Sequence, residues 1–104
     1  MASPKAAFGL PEITLGLIPG MGGTQLLTRI VGTKTAMKMI LTAESIGAEE
    51  AHRLNIAHLI SDNFEQNLNG MLNNLINKAS DSLQAAKRSI NFAMETTLEQ
   101  GLQH

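Results

Sequence analysis

Glycine and proline dominate the segment 9–23, which constrains the fold more than any other feature of the chain. All three prolines and six of the nine glycines lie before residue 33. Proline cannot donate a backbone hydrogen bond, and glycine favours turns and left-handed backbone conformations. We therefore predict an irregular loop over 11–23, preceded by a short strand at 6–10.

Apolar residues at helical spacing predict helices over most of the remaining sequence. A helix over 24–31 is expected to end at Gly32 in a left-handed cap, and Thr33 is expected to cap the next helix, over 34–41. The strands are too short to form a sheet among themselves. The other predicted elements are a helix at 48–54 closed by Asn55, a short strand at 56–60, a helix at 62–79 capped by Asp62, and a helix at 82–98 ended by Gly101.

The composition is that of a globular protein with little charge and few aromatic residues. The 104 residues are 43% hydrophobic and 16% charged, and contain no cysteine. A net charge of −1 provides no bulk attraction for nucleic acid or an anionic membrane. No apolar run approaches the roughly 20 residues that span a bilayer. Without cysteines, and with histidines that lack metal-ligand spacing, the sequence predicts no disulfide and no metal site.

Glu12 is the first candidate for acid–base chemistry. It is the one charged residue between Ala6 and Thr28, and its neighbours are Pro11 and Ile13. Burial of an isolated carboxylate favours its protonated form, which suits a general acid or base. The alternative is a loop glutamate that faces water or caps a nearby backbone group.

The run Gly20-Met21-Gly22-Gly23-Thr24 is the second candidate and leads into the first predicted helix. Glycines let the backbone approach a ligand closely, and the unpaired N–H groups of a first helical turn can bind an anion or polarise a carbonyl. The glycine spacing fits neither a Walker A loop nor a dinucleotide-binding fingerprint. The alternative is a glycine-rich turn that only permits tight packing.

Residues 2–25 closely resemble the enoyl-CoA hydratase/isomerase (crotonase) family, above all in the Pro11-Glu12 pair and in the Gly20–Gln25 run. The resemblance implies the α/β fold class, as a crotonase-type β-β-α superhelix. Residues 1–60 would then form the end of its core and 61–104 its C-terminal amphipathic helices. This chain would itself be mostly helical, with one or two short strands. The resemblance continues through 27–32, 41–43, 48–51, 54–60 and, as the family's late lysine-containing helix, 87–91.

The resemblance also implies an activity on acyl-CoA thioesters, whose enolate-like oxygen the family stabilises with two backbone N–H groups. An enoyl-CoA hydratase-like enzyme adds water syn across the 2,3 double bond of such a thioester. Glu12 matches the second of the two glutamates that hold and activate the water. The matching substrate-binding residues are Leu17, Ile18, Gly20, Gly22 and Gly23, and the CoA-phosphate candidates are Lys87 and Arg88.

The chain also departs from the family pattern. The first glutamate and the glycine-rich oxyanion-hole segment are expected to precede residue 1, and the family's last helices are expected to follow His104. Leu26 stands where many members carry arginine. Three functions stay open: a hydratase, an isomerase of the same family, and a non-catalytic binding or assembly module with the crotonase fold.

The partners and location follow from the same resemblance. It implies an acyl-CoA thioester as ligand, with no cofactor other than the coenzyme A of the substrate. It also implies a homo-oligomer, since family members form trimers or dimers of trimers. We expect neither a nucleic acid nor a membrane partner, and a cytoplasmic location, or the mitochondrial matrix for a eukaryotic protein that has lost a leader.

The first prediction concerns the isolated 104 residues, which we expect not to hydrate crotonyl-CoA. Loss of a single preorganised oxyanion donor costs roughly 10²–10³ in rate, and both the donors and the first glutamate are expected outside this sequence. A steady-state hydration assay on the purified chain measures this. Turnover at the efficiency usual for the family would contradict the prediction.

Overall fold

The computed structural model describes residues 1–103, and His104 lies outside the described residues. Two strands of two residues each form its sheet: β1 (Ala7–Phe8) pairs antiparallel with β2 (Ile46–Gly47). Phe8 lies opposite Ile46 in this register. The predicted strands at 6–10 and 56–60 do not pair with one another. The partner of β1 is instead 46–47, where the sequence analysis predicts no strand, because the chain between β1 and β2 folds back and supplies this edge.

Residues 56–60 do not form the predicted strand. Ile60 makes only an isolated parallel bridge with Ala2. The Ala2 N–H donates to the Leu59 carbonyl at 2.7 Å, and the Ala2 carbonyl accepts from the Ser61 N–H at 2.8 Å. Ala2 therefore supplies hydrogen-bond partners for the Leu59 carbonyl and the Ser61 N–H, but no continuous β-ladder forms.

A 3₁₀ helix (Pro11–Leu15) occupies the start of the predicted irregular loop, and the loop prediction is wrong for these residues. Pro11 stands at the first helical position, where its missing N–H would have had no helical partner. Gly16 ends the helix with φ +73°, in the left-handed region that glycine adopts without strain.

Two packed helices follow, α1 (Gly23–Val31) and α2 (Thr33–Thr42). Gly32 lies between them with φ +87° and ψ 165°, a positive φ as expected but not the left-handed helical conformation. Its N–H donates to the Thr28 carbonyl and its own carbonyl accepts from Ala36, so Gly32 closes one helix and opens the next. The prediction that Thr33 caps α2 is wrong, since Gly32 occupies the N-cap position.

A cluster of small buried side chains surrounds α3 (Ala48–Arg53), and α2 also buries Met39 and Ile40. Asn55 follows α3 with φ +65°, which confirms the predicted left-handed residue after this helix. Ala51 is fully buried, and its carbonyl accepts from the N–H groups of Ile56 and Ala57 at 2.9 and 3.1 Å. The buried cluster consists of Ala2, Ala48, Ala51 and Ala57.

Three helices make up the remainder: α4 (Phe64–Ile76), α5 (Ser80–Ala93) and α6 (Leu98–Gln103). The chain divides into two compact units, residues 1–64 (unit 1) and the residues from Glu65 onward (unit 2). Buried side chains are absent from α4, α5 and α6. Within residues 1–103, no helix combines the length and apolar character needed to cross a membrane.

The predicted helix over 82–98 is wrong at its C-terminal end, because α5 stops at Ala93 and a separate α6 begins at Leu98. A reciprocal capping box starts the new helix. Thr97 Oγ1 accepts from the Gln100 N–H, and Gln100 Oε1 accepts from the Thr97 N–H, each at 3.2 Å. Gly101 accordingly lies inside α6 and does not terminate a helix.

The second prediction tests the alanine core. Ala51→Leu adds a bulky side chain at a site with no exposed surface, and we expect it to destabilise the fold by about 1–3 kcal/mol. Ala86→Leu, on the exposed surface of α5, is the matched control and should change the stability by less than about 0.5 kcal/mol. Urea unfolding followed by circular dichroism measures both. Equal midpoints for the two variants would contradict the prediction.

Candidate functional site

The Glu12 carboxylate lies at the centre of the candidate site, where the chain folds back on itself. Glu12 belongs to the 3₁₀ helix, and its Oε2 accepts a hydrogen bond from the Gly20 N–H at 3.2 Å. Its backbone carbonyl accepts from the Leu17 N–H at 3.1 Å. Glu12 therefore bonds to Leu17 through its backbone carbonyl and to Gly20 through its side chain. Leu17 and Gly20 are the two ends of the segment that follows the 3₁₀ helix.

The sequence left open whether Glu12 is a buried carboxylate or a loop glutamate that faces water or caps a backbone group. The structure shows features of both. The side chain is half-buried rather than enclosed. It also binds a backbone N–H, as the capping alternative supposes. This backbone donor orients the carboxylate but brings no countercharge of its own.

The glycine run after Gly20 turns the chain into α1. The Gly23 N–H donates to the Gly20 carbonyl at 3.0 Å, which closes a tight turn. Met21 and Gly22 both have positive φ, +53° and +78°, and the strain of this conformation falls on Met21. No side chain caps the N terminus of α1, so its first turn presents backbone N–H groups at the positive end of the helix dipole.

Apolar side chains flank the Glu12–Gly20 contact on the protein surface. Leu17 is 58% exposed and Ile18 75% exposed, while Pro19 between them and Gly20 is buried. The loop thus brings Glu12, Leu17, Ile18 and Gly20 into one short segment.

Gly23, unlike Gly20, packs into unit 1. Together with neighbouring apolar side chains it lines a cavity of about 240 Å³. The helical period over 24–31 indicated an apolar face on α1, but no local pattern showed that β1 and α2 would close a cavity against it. The lining residues include Phe8, Leu10, Gly23, Leu26, Ile30 and Met39.

The two CoA-phosphate candidates from the sequence take no part in the Glu12–Gly20 contact. Lys87 and Arg88 are exposed on α5 in unit 2, whereas the Glu12–Gly20 contact is formed within unit 1 alone. Their part in phosphate binding stays a prediction. Among the residues that the structure describes, no three His, Cys, Asp or Glu side chains are grouped so that they could hold a metal ion.

A shifted carboxyl pKa occurs on α3, at Glu50. The hydrogen bond from the Arg53 guanidinium holds the pKa of Glu50 below its ordinary value, and the same bond raises the pKa of Arg53. The Arg53 Nε–H donates to Glu50 Oε2 at 2.9 Å. Since the folded-state pKa of Glu50 is lowered, its contribution to stability is present above the unfolded pKa and is lost as the pH falls through the folded one. The pair is exposed, so this contribution is small.

Comparison with known proteins identifies the family. The sequence matches the enoyl-CoA hydratase/isomerase family over residues 1–104. The chain belongs to this family. Membership confirms the resemblance carried by the Pro11-Glu12 pair and the glycine run.

Individual members of the enoyl-CoA hydratase/isomerase family align with nearly all of the chain. It is 42% identical to the 2,3-dehydroadipyl-CoA hydratase of Escherichia coli, over 98% of the chain and 41% of that relative. It is 35% identical to a short-chain-enoyl-CoA hydratase of Clostridium acetobutylicum, over 98% of the chain and 40% of that relative. The chain therefore spans about two-fifths of the length of these relatives.

Solved structures of the family confirm the fold class. An enoyl-CoA hydratase from Bacillus anthracis superposes with a TM-score of 0.93 at 31% identity, over 98% of this chain and 40% of that one. The matched part is mostly helical with two short strands, as predicted, and the two strands pair in a sheet. The crotonase fold therefore holds for this chain.

The third prediction contrasts two glycines of the run. A Cβ added at Gly23 would lie 3.0 Å from Cβ of Pro19, so the buried proline ring would have to shift, and Gly23→Ala should cost about 1 kcal/mol. A Cβ added at Gly20 meets no atom within 4 Å, so Gly20→Ala is the control and should stay within about 0.5 kcal/mol of the parent. Thermal unfolding measures both, and a Gly23→Ala chain as stable as Gly20→Ala would refute the packing argument.

Proposed function

We propose that this chain supplies a general acid–base carboxylate and part of the acyl pocket of an enoyl-CoA hydratase. The reaction is the syn addition of water across the 2,3 double bond of an acyl-CoA thioester. The observation that carries the proposal is the hydrogen bond from the Gly20 N–H to Glu12 Oε2, in a chain that belongs to the enoyl-CoA hydratase/isomerase family.

Glu12 has the chemistry that proton exchange with water or substrate requires. The Gly20 N–H occupies one acceptor position on Oε2, and the carboxylate retains acceptor capacity on Oε1 for a water molecule. Fixing the carboxylate by a backbone donor reduces the rotamer freedom that the reaction would otherwise have to overcome. In the proposed mechanism, Glu12 therefore exchanges a proton with the water or with the reacting carbon of the enoyl group.

The neighbouring groups fit an acyl thioester. The exposed side chains of Leu17 and Ile18 would contact the acyl chain, since burial against carbon removes their apolar surface from water. The uncapped first turn of α1, reached through Gly20, Gly22 and Gly23, would place its positive dipole end near the thioester oxygen.

Coenzyme A would enter as part of the substrate, and the proposed reaction requires no further cofactor. Addition of water to a polarised double bond is acid–base chemistry, which carboxylates and backbone donors can perform. The exposed cations Lys87 and Arg88 would bind a CoA phosphate through charge-assisted hydrogen bonds.

A non-catalytic assembly module is the second candidate, and one observation favours it. Apart from the half-buried Phe92, the large apolar side chains of α4 to α6 are exposed, with values from 36% at Leu83 to 80% at Leu98. Exposed apolar side chains in this number are typical of interaction sites, in line with the expected homo-oligomer. Under this reading, unit 2 carries the function and Glu12 is dispensable.

The fourth prediction tests Glu12 in a complete enzyme. In the C. acetobutylicum relative, the aligned segment is replaced by this chain, and hydration of crotonyl-CoA is measured. Glu12→Gln keeps an oxygen that can accept from Gly20 but cannot act as a base, so kcat should fall by roughly 10²–10⁴. Glu49→Gln, at an exposed position of α3, is the matched control and should leave kcat near that of the parent chimera.

The assay separates the open functions. An unchanged rate for Glu12→Gln, with assembly preserved in light scattering, would reject the catalytic proposal in favour of the assembly module. A shifted double bond in the product, with no 3-hydroxyacyl thioester, would identify an isomerase. The size of the chimera is compared with that of the unaltered relative.

A further inference from the structure

Helix α4 contains an asparagine–glycine pair in its middle. The chain has eight asparagines, and Asn69 alone is followed by glycine. Both Asn69 and Gly70 are exposed. A Cβ built on Gly70 meets no atom within 4 Å, so nothing packs over this peptide bond.

We propose that Asn69 is a site of spontaneous deamidation, at which the amide side chain is converted to an acid. The backbone nitrogen of Gly70 attacks Cγ of Asn69, and the new C–N bond closes a five-membered succinimide. The Cγ–Nδ2 bond breaks, and the nitrogen leaves as ammonia with the proton lost from Gly70. Water then opens the ring, giving aspartate or isoaspartate. In the overall reaction, the asparagine residue takes up one water molecule and releases one ammonia. Neither an oxidant nor an enzyme is required.

Opening of α4 controls this reaction. In an intact helix, the Gly70 N–H donates to the carbonyl of Gln66, four residues earlier, so the nitrogen cannot reach Cγ of Asn69. Most helical stability in proteins comes from packing of the apolar face. No residue of α4 is buried, and Met71, its least exposed large apolar side chain, is still 41% exposed. Little packing therefore opposes opening of this helix.

Gly70 promotes the reaction in two ways. A glycine inside a helix destabilises it relative to alanine, because glycine loses more conformational freedom on folding. Glycine also lacks the side chain that would hinder ring closure at its own nitrogen. Asn73 and Asn74 lie in the same exposed helix but precede Asn and Leu, so they share the helix opening without the glycine.

Deamidation would change α4 in charge and in geometry. The net charge of the chain goes from −1 to −2, since a neutral amide becomes a carboxylate. Isoaspartate also inserts a methylene into the backbone, which breaks the 3.6-residue repeat. The apolar side chains before and after residue 69 would then no longer share one helix face.

The fifth prediction is tested on the intact chain, incubated in mildly alkaline buffer and sampled over time. Trypsin releases residues 54–78 as one peptide, and fragmentation mass spectrometry assigns the converted asparagine within it. We expect Asn69 to convert faster than Asn73 and Asn74. Gly70→Ala should slow conversion at Asn69 by at least roughly fivefold. This is the decrease in the open population of α4 that the higher helix propensity of alanine brings by itself.

The controls make the proposal refutable. Unfolding in guanidinium chloride should accelerate conversion at Asn69, because the helical hydrogen bond is then removed. Equal rates at Asn69 and Asn74 in the folded chain would overturn the proposal, and so would an unchanged Asn69 rate in Gly70→Ala. Equal conversion rates at Asn69 with and without denaturant would refute the claim that opening of α4 limits the reaction. The proposal does not depend on the proposed function.

Discussion

The hydrogen bond from the Gly20 N–H to Glu12 ties the 3₁₀ helix to the turn that begins α1. Its donor is a backbone group, so its position depends on the path of the main chain between the two residues. That path requires left-handed backbone at Gly16 and a buried Pro19. The candidate site is therefore determined by backbone conformation more than by side-chain packing, which is why the glycines and prolines are concentrated around it.

The core of unit 1 is small. One buried cluster is made of alanines, and in the described part of the chain the large buried side chains are Met39 and Ile40 of α2. Many leucines, isoleucines and methionines are instead exposed. The chain spans about two-fifths of its relatives. Exposed apolar surface of this kind is typical of interaction sites.

Local patterns predicted the helices of unit 1 closely, because periodicity and glycine boundaries are short-range properties. α1, α2 and α3 begin and end within a residue or so of their predicted bounds. The errors arose where a specific contact decided the outcome. The capping box of Thr97 and Gln100 divides the last predicted helix, and the fold-back of the chain gives Ile46–Gly47 a strand partner. Periodicity carries no information about either contact.

The sequence by itself determined the family, through the Pro11-Glu12 pair and the glycine run, and it singled out Glu12 as a candidate because no other charge lies nearby in the chain. Only the tertiary structure decided what Glu12 contacts, that it is half-buried, and that Gly23 faces a cavity lined from β1, α1 and α2. The reason is physical. Backbone preferences act over a few residues and can be read along the chain, whereas a hydrogen-bond partner eight residues away depends on the path that the chain takes between the two.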